Sequence, residues 1–360
     1  MCILDQDATV LSAITGLVDK SIISRAETNR PHTRYRMLEP VRQFAAERLS
    51  SGPDGPEAHR RHRDCYLRLA GRSRNDYCSS RNIHQALAFS LSDAHEPEVA
   101  VEMAASLRPF WQQSGSILEG YKWLRRALDQ TSGPSRPRAA GLASAGILGF
   151  LLEEGDAARK LLEEHNALAA GEGYHEFTPL VHFASALEAV ADGDLAAALD
   201  RAERAVTTGL ELDDPATAAE AMALSALCVF ILDHERAEEL TTRFLEFAEA
   251  RRAHLMKAIA LYPLGAVRWH NGDTTTATAL MREAIRLYQM FEHPGMVAVC
   301  IEGLAWSTPE DDPEGAATLL GAAKSVWKYS QMRIPETAVQ RVGRTVETRL
   351  RQRLGDLCFE

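Results

Sequence analysis

Apolar residues recur every three or four positions along most of this chain, the spacing that places them on one face of an α-helix. In the C-terminal half, the helical stretches come in pairs, and a short turn separates the members of each pair. The pairs are Val181–Ala191 with Leu195–Gly209, Thr217–Phe230 with Glu235–Arg251, Leu255–Asn271 with Thr274–Phe291, and Val297–Trp306 with Glu314–Ser330. The pattern predicts an all-α protein built from stacked helical hairpins.

An aspartate marks the turn of each hairpin at a nearly constant interval. The markers are Asp156, Asp194, Asp233, Asp273 and Asp312, and successive markers are 38, 39, 40 and 39 residues apart. Alanine stands four and eleven residues after most markers, with Lys160 and Phe244 as the exceptions. Alanines seven positions apart share one helix face, where the missing side chain lets a neighbouring helix approach closely. Each repeat is therefore predicted to be a helix, a Gly/Asp turn and a second helix.

One of these units resembles a tetratricopeptide repeat. It contains Leu264-Gly265, Gly272-Asp273, Ala277 and Ala284 at the small and turn positions of that family. The period near 39 exceeds the roughly 34 residues of the family, so the loops between repeats would be longer. A generic array of helical hairpins is the alternative. Either interpretation implies an α-solenoid, which binds partners along a concave surface and does not carry out catalysis in a pocket.

The first fifty residues follow a different pattern. Ala8–Val18 has helical spacing, and the short β-type runs at Ser21–Arg25 and Thr33–Met37 flank a polar turn. A further helix is predicted from Glu39 to Leu49. Two β-type runs around a turn predict a hairpin. The order helix, hairpin, helix predicts a partial winged-helix domain.

Several sequence blocks resemble bacterial STAND-type transcriptional regulators of the LuxR and AfsR types. They are GLVDKSIIS (Gly16–Ser24), YRMLEPVRQFAAERL (Tyr35–Leu49), HRRHRDCYLRLA (His59–Ala70), NIHQALAFSL (Asn82–Leu91), GSILEGYKWLRRAL (Gly115–Leu128), LLGAAKSVW (Leu319–Trp327) and RLRQRLGDLCFE (Arg349–Glu360). The resemblance implies a winged-helix remnant followed by a tetratricopeptide-like sensor region. In that family an ATPase module precedes the winged helix, and in LuxR-type members a helix-turn-helix domain follows the repeats. This sequence resembles the middle of such a regulator, as a split gene, a truncated copy or an independent adaptor would.

We therefore expect four parts. They are a partial winged-helix domain at 1–52, a helical connector at 53–78, tetratricopeptide-like repeats at 79–334 and a C-terminal capping helix at 335–360. The formal charge of −10 disfavours nucleic acid as a ligand of the whole surface, since such binding requires neutralised phosphates. Met1–Asp7 has no signal-peptide pattern, and the six cysteines form no CxxC pair. A cytoplasmic protein is expected, and the uncharged stretch Ala139–Leu152 is predicted to be a buried helix because it is too short to span a membrane.

Motifs of catalysis and metal binding are incomplete. Gly321–Ser325 lacks the Gly that precedes Lys in a phosphate-binding loop, and Ser325–Lys328 lacks the companion motifs of S-x-x-K enzymes. His59, His62 and Cys65 have metal-like spacing without a fourth ligand nearby. We expect no enzyme activity, no metal and no cofactor.

A partner would meet the polar and aromatic residues on the first helices of the hairpins. The candidates for partner binding are His182, Arg268, Trp269 and Glu302. The expected partner is a protein or peptide in the concave groove, for which a separate ATPase or helix-turn-helix chain is a candidate, and no membrane is expected. The alternative is a regulator that binds DNA directly through its wing, where the candidates for phosphate contact are Arg25, Arg30, Arg34 and Arg36. DNA binding by this chain alone is the less favoured prediction because the sequence lacks an intact recognition helix.

Overall fold

The computed structural model describes residues 8–26, 34–72, 80–92, 96–232, 234–291, 293–308, 311–328, 330 and 338–355. Two compact units divide the chain, Met1–Ser106 and Leu107–Glu360. The division falls within the segment that the sequence assigns to repeats. The first two helices of that segment accordingly belong to the N-terminal unit.

The N-terminal unit begins with a helix, a β-hairpin and a second helix. Its elements are α1 (Ala8–Asp19), β1 (Ile23–Ala26), β2 (Arg34–Met37), α2 (Glu39–Ser50), α3 (Gly55–Arg72), α4 (Ser80–Ser92) and α5 (Pro97–Ser106). The two strands pair antiparallel, with Ile23 opposite Met37. Pro40 lies in the first turn of α2, where its missing N–H group costs no hydrogen bond. The predicted order of helix, hairpin and helix is confirmed.

The C-terminal unit is a stack of helices joined by short turns. Its helices are α6 (Arg108–Gln113), α7 (Ile117–Leu128), α8 (Arg136–Leu151), α9 (Gly155–Glu172), α10 (Thr178–Ala191), α11 (Leu195–Glu211), α12 (Pro215–Leu232), α13 (His234–Ala250), α14 (His254–His270), α15 (Thr274–Met290), α16 (Pro294–Trp306), α17 (Pro313–Trp327) and α18 (Ala338–Leu354). From α8 to α17 each even-numbered helix pairs with the next helix in the chain. In the described residues, the all-α prediction of helical hairpins after a short β-hairpin is confirmed.

The second helix of most hairpins starts at a capping aspartate. Asp194, Asp273 and Asp312 each accept a hydrogen bond from the backbone N–H three residues later, at 2.9, 3.0 and 2.9 Å. Such a bond satisfies one of the N–H groups left free at a helix start. The positions four and eleven residues after these caps are buried alanines: Ala198, Ala277, Ala316, Ala205, Ala284 and Ala323. The second helices therefore present a face without long side chains to their neighbours.

One repeat has a different register from the one that its aspartate suggests. The N-cap position of α9 is Glu154, two residues before Asp156, and its side chain forms no capping hydrogen bond. Ala158 and His165, four and eleven residues after Glu154, are buried, whereas Ala167 is exposed. The correct marker of this repeat is therefore Glu154, and the spacing to Asp194 becomes 40 residues.

The residue before the N-cap position of α9, α11 and α15 has a left-handed backbone. Gly193 and Gly272 have φ of 79° and 83°, and Glu153 has φ of 63° at the corresponding position. Glycine adopts this conformation without the steric cost that a Cβ atom imposes. The turn before α9 therefore carries backbone strain that the turns before α11 and α15 avoid.

Helices α8 and α12 form much of the core of this unit. Most of the uncharged stretch Ala139–Leu152 is buried in α8, as predicted. Among the described residues, α12 is the one helix long and apolar enough to cross a membrane. It packs against α10, α11, α13 and α14, and 56% of it is buried. Its apolar character therefore fits a core helix of this unit.

Filling the alanine face should destabilise the stack. We expect Ala277→Leu to lower the free energy of unfolding by about 1–3 kcal/mol, because Ala277 is fully buried and extra carbons force neighbouring side chains aside. The matched control is Ala279→Leu, at an exposed position of the same helix, with an expected change below about 0.5 kcal/mol. Urea unfolding monitored by circular dichroism measures both. Equal effects would contradict this account of the repeat.

Replacing the strained residue before α9 should have the opposite effect. We expect Glu153→Gly to raise the free energy of unfolding by about 0.5–1 kcal/mol, because glycine removes the cost of a left-handed residue with a Cβ atom. Gly193→Ala should lower it by a similar amount. A loss of stability in Glu153→Gly, measured by the same unfolding titration, would show that the side chain of Glu153 contributes more than its backbone costs.

Candidate functional site

The layer of first helices in the C-terminal unit curves inward between α6 and α12. In the sequence α6, α8, α10, α12, each helix contacts the next. With interhelical distances of about 8–10 Å, three steps along a straight layer would separate α6 from α12 by roughly 24–30 Å. Arg108 of α6 nevertheless forms an ion pair with Glu220 of α12. That separation exceeds the combined reach of the two side chains, so the layer must curve inward between these helices.

The Arg108–Glu220 pair is buried in this curve. The Arg108 and Glu220 side chains are 4% and 19% exposed. Arg108 Nη1 also donates to Gln112 Oε1 at 2.9 Å, and Nη2 donates to Thr217 Oγ1 at 3.4 Å. Desolvated charges of this kind need compensation by a partner and by hydrogen bonds. The pair therefore ties the first helix of the unit to a helix more than a hundred residues later.

His182 lies between the two helices of its own hairpin. Arg204 Nη2 donates to His182 Nε2 at 3.3 Å, and Thr208 Oγ1 lies 3.4 Å from His182 Nδ1. Burial, followed by the charge of Arg204, lowers the pKa of His182. The contacts of this predicted partner-binding residue are thus with α11.

Arg268 also has a partner within the protein, with which it forms an ion pair. Its Nη2 lies 3.0 Å from Glu238 Oε1 on the preceding helix α13. Its Nε is buried and has no hydrogen-bond partner. The positive charge of Arg268 also contributes to the lowered pKa of Asp273, which is due first to hydrogen bonding with Thr276. Arg268 therefore contributes to the junction of α13, α14 and α15.

Trp269 and Glu302 belong to a group of four residues that we call the aromatic–carboxylate cluster: Trp269, Glu302, Trp306 and Trp327. Trp269 Nε1 donates to the Trp306 carbonyl oxygen at 2.8 Å, and the two ring centroids are 5.7 Å apart. Trp327 Nε1 donates to Glu302 Oε1 at 2.7 Å. Glu302 and Trp306 are one turn apart on α16 and therefore share a face. The cluster joins α14, α16 and α17.

The environment of this cluster is mostly apolar. Burial raises the pKa of Glu302, and the hydrogen bond from Trp327 opposes that shift. The Tyr262 hydroxyl and Trp306 Nε1 are buried without a hydrogen-bond partner. Both tryptophans at the edge of the cluster, Trp269 and Trp327, are half-buried. The cluster thus combines accessible aromatic surface with a partly desolvated carboxylate.

Of the four wing arginines predicted to contact phosphate, the structure describes the side chains of Arg25 and Arg36, and these two do not share a face. In the register of the two antiparallel strands, Arg25 lies opposite Tyr35, and Arg36 lies opposite Ser24. Opposite positions of an antiparallel pair share a face, and neighbouring positions alternate. Arg25 and Arg36, both exposed, therefore lie on opposite faces of the hairpin. Arg30 and the side chain of Arg34 lie outside the described residues.

The three residues with metal-like spacing, His59, His62 and Cys65, lie on α3. The His62 and Tyr66 ring centroids are 4.8 Å apart, Cys65 is buried, and burial lowers the pKa of His62 to about 4. In the described part of the chain, no group of three or more His, Cys, Asp or Glu side chains could hold a metal ion.

Comparison with known proteins supports a regulatory context. Residues 1–50 match the family described as a winged helix-turn-helix domain. The HTH-type transcriptional regulators Rv0890c of Mycobacterium tuberculosis and Mb0914c of Mycobacterium bovis are 35% identical over 133 residues, or 34% of this chain. The match spans only 15% of the length of these relatives. The chain is therefore homologous to HTH-type transcriptional regulators over about a third of its length.

Solved structures show which fold the helices share. A Rap protein complexed with competence and sporulation factor has a TM-score of 0.61, 10% identity, and coverage of 89% of this chain and 87% of that protein. A STAND protein with a tetratricopeptide repeat sensor from Pyrococcus horikoshii has a TM-score of 0.49 and 13% identity, with coverage of 99% and 57%. At 10% identity, the likeness to the Rap protein concerns the fold. The tetratricopeptide-like fold class is thereby confirmed.

Removing the charge opposite Arg108 should strongly destabilise the C-terminal unit. We expect Glu220→Gln to lower the free energy of unfolding by about 3 kcal/mol, because it leaves a buried guanidinium without its carboxylate. The matched control, Glu211→Gln, changes an exposed residue of α11 and should cost less than about 0.5 kcal/mol. Urea unfolding measures both variants, and a loss below about 1 kcal/mol in Glu220→Gln would mean that the pair contributes little to the stability of the unit.

Proposed function

We propose that this chain is a non-enzymatic partner-binding module of a LuxR-type STAND transcriptional regulator, acting in the cytoplasm. The observation that carries the proposal is a stack of helical hairpins, curved inward between α6 and α12, in the same chain as a winged helix-turn-helix region. A protein or peptide partner would bind on the concave side. A separate ATPase or helix-turn-helix chain is a suitable partner for a regulator divided between polypeptides.

One comparison of sequence and one comparison of structure support this proposal. The mycobacterial relatives carry the name of transcriptional regulators, and the Rap protein of similar fold is complexed with competence and sporulation factor. Helical-repeat stacks offer long surfaces formed by successive units. Such surfaces suit an extended partner that contacts several hairpins at once.

Partner binding would act by shifting the curvature of the stack. A ligand changes a conformational equilibrium only through different affinities for the two states. The Arg108–Glu220 pair favours the curved state, and a partner that contacts several first helices would favour one curvature as well. The proposed output is a change in transcription through the attached or associated regulator.

Direct DNA binding through the hairpin is the second candidate function. The match of residues 1–50 to a winged helix-turn-helix domain and the exposure of Arg25 and Arg36 favour it. Phosphate contacts by these arginines would make affinity fall steeply with salt. The opposite faces of the two side chains argue against a single phosphate-binding patch.

Affinity capture from a lysate of the native bacterium tests the proposal. We expect the wild-type chain and Trp123→Ala, a variant of the second helix α7, to retain the same partner chain, identified by mass spectrometry. Trp269→Ala/Trp327→Ala should lose it because that variant removes two half-buried rings from α14 and α17. Each variant is first compared with the wild type by thermal melting.

Two other results of the capture would contradict this function, and a third would relocate its binding surface. Recovery of DNA without a protein partner, abolished in Arg25→Ala/Arg36→Ala, would establish the second candidate in its place. A folded chain that retains nothing would contradict partner binding. A partner retained equally by every variant would move the binding surface away from the aromatic–carboxylate cluster.

A further inference from the structure

Glu302 differs from the other acidic residues at helix junctions of the C-terminal unit. Glu188 pairs with Arg159 and Arg201, and Glu203 pairs with Arg236. Glu238 pairs with Arg268, and Glu249 and Glu283 both pair with Lys257. Among the described residues, Glu302 instead has Trp327 as its hydrogen-bond donor and no cation as a partner. Within the described part of the chain, no cation balances the charge of this carboxylate.

The free energy cost of this arrangement indicates an absent counter-charge. A partly desolvated carboxylate is unfavourable unless it is paired with a cation and hydrogen-bonded. The hydrogen bond from Trp327 meets the need for hydrogen bonding, but it does not provide a cation. The basic residues next to Trp269 and Trp327 in the sequence do not supply a cation: Arg268 pairs with Glu238, and Lys328, which follows α17, is exposed.

The rings around Glu302 are suited to a cation. The faces of tryptophan rings attract ammonium and guanidinium groups more strongly than those of tyrosine or phenylalanine. Trp327 contacts the carboxylate directly, and Trp306 lies one turn away in contact with Trp269. A guanidinium group is planar, stacks on aromatic faces and is more weakly hydrated than an ammonium group. It is therefore the better match to a half-buried site.

We propose that the aromatic–carboxylate cluster binds an arginine side chain of the partner, with the guanidinium paired to Glu302 and stacked on the tryptophan rings. This inference rests on the proposed partner-binding function and specifies the chemistry that the partner presents. The cluster joins the first helices α14 and α16 to α17, so a bound arginine would anchor an extended segment at the C-terminal part of the stack.

The test uses three short probes and the full chain. Acetyl-Ala-Arg-Ala-amide is titrated into ¹⁵N-labelled protein, and the indole N–H signals are followed by NMR. Signals are assigned from single Trp→Phe variants. We expect saturable shifts of the Trp327 and Trp269 signals. The citrulline analogue, which has the same shape without the charge, should bind at least tenfold more weakly, and the lysine analogue should bind with intermediate affinity.

A charge-neutral variant separates this site from general attraction to an acidic protein. Glu302→Gln retains an oxygen that can accept from Trp327 but removes the carboxylate charge, so binding of the arginine probe should weaken at least tenfold. Glu314→Gln changes the net charge equally at an exposed position of α17 and should bind as the wild type does. Thermal melting of both variants verifies their folding.

Three results would overturn the inference. They are no saturable shift of the cluster signals, equal affinity for the arginine and citrulline probes, or equal weakening in Glu302→Gln and Glu314→Gln. The proposed function is tested independently: a partner captured equally by wild type and Glu302→Gln would refute the arginine site while leaving partner binding intact. Probe binding without any captured partner would refute the function and retain the site.

Discussion

The C-terminal unit depends on close approach between helices at positions that lack a side chain beyond Cβ or lack Cβ altogether. A Cβ atom on Gly120 would lie 2.2 Å from Trp111, and one on Gly265 or Gly303 would lie 2.8 or 2.9 Å from the terminal carbon of Met281. Packing at this density leaves little room for added carbons. Met281 of α15 is thus accommodated against both α14 and α16. The same contact fixes the positions of the helices that carry Trp269 and Glu302.

Much of the fold could be predicted from the sequence because the residues that define each hairpin lie close together in the chain. The Gly/Asp turns, the prolines at helix starts and the alanine spacing define each hairpin within a few residues. The exception is the register of α9, where a glutamate occupies the cap and an aspartate two residues later continues the numerical pattern. Spacing alone cannot distinguish a cap from an acidic residue in the first turn, since both positions favour negative charge.

The site was less predictable because it depends on contacts between separate hairpins. Trp269 and Glu302 meet the sequence criterion of polar or aromatic residues on first helices, and they belong to one cluster. The contacts of Trp306 and Trp327 with these residues require the packing of α14, α16 and α17. His182 and Arg268 satisfied the same sequence criterion, but adjacent helices provide their partners. No local pattern relates Arg108 to Glu220.

The Arg108–Glu220 pair also has a consequence for how the stack unfolds. In an ideal repeat array each unit contacts only its neighbours, so the ends can open while the centre remains folded. A bond across 112 residues couples hairpins that are not adjacent, and opening any helix from α6 to α12 strains it. These helices should therefore open as one cooperative block, as hydrogen exchange would define it. The later hairpins, without such a cross-tie among the described contacts, can open in sequence from their own end.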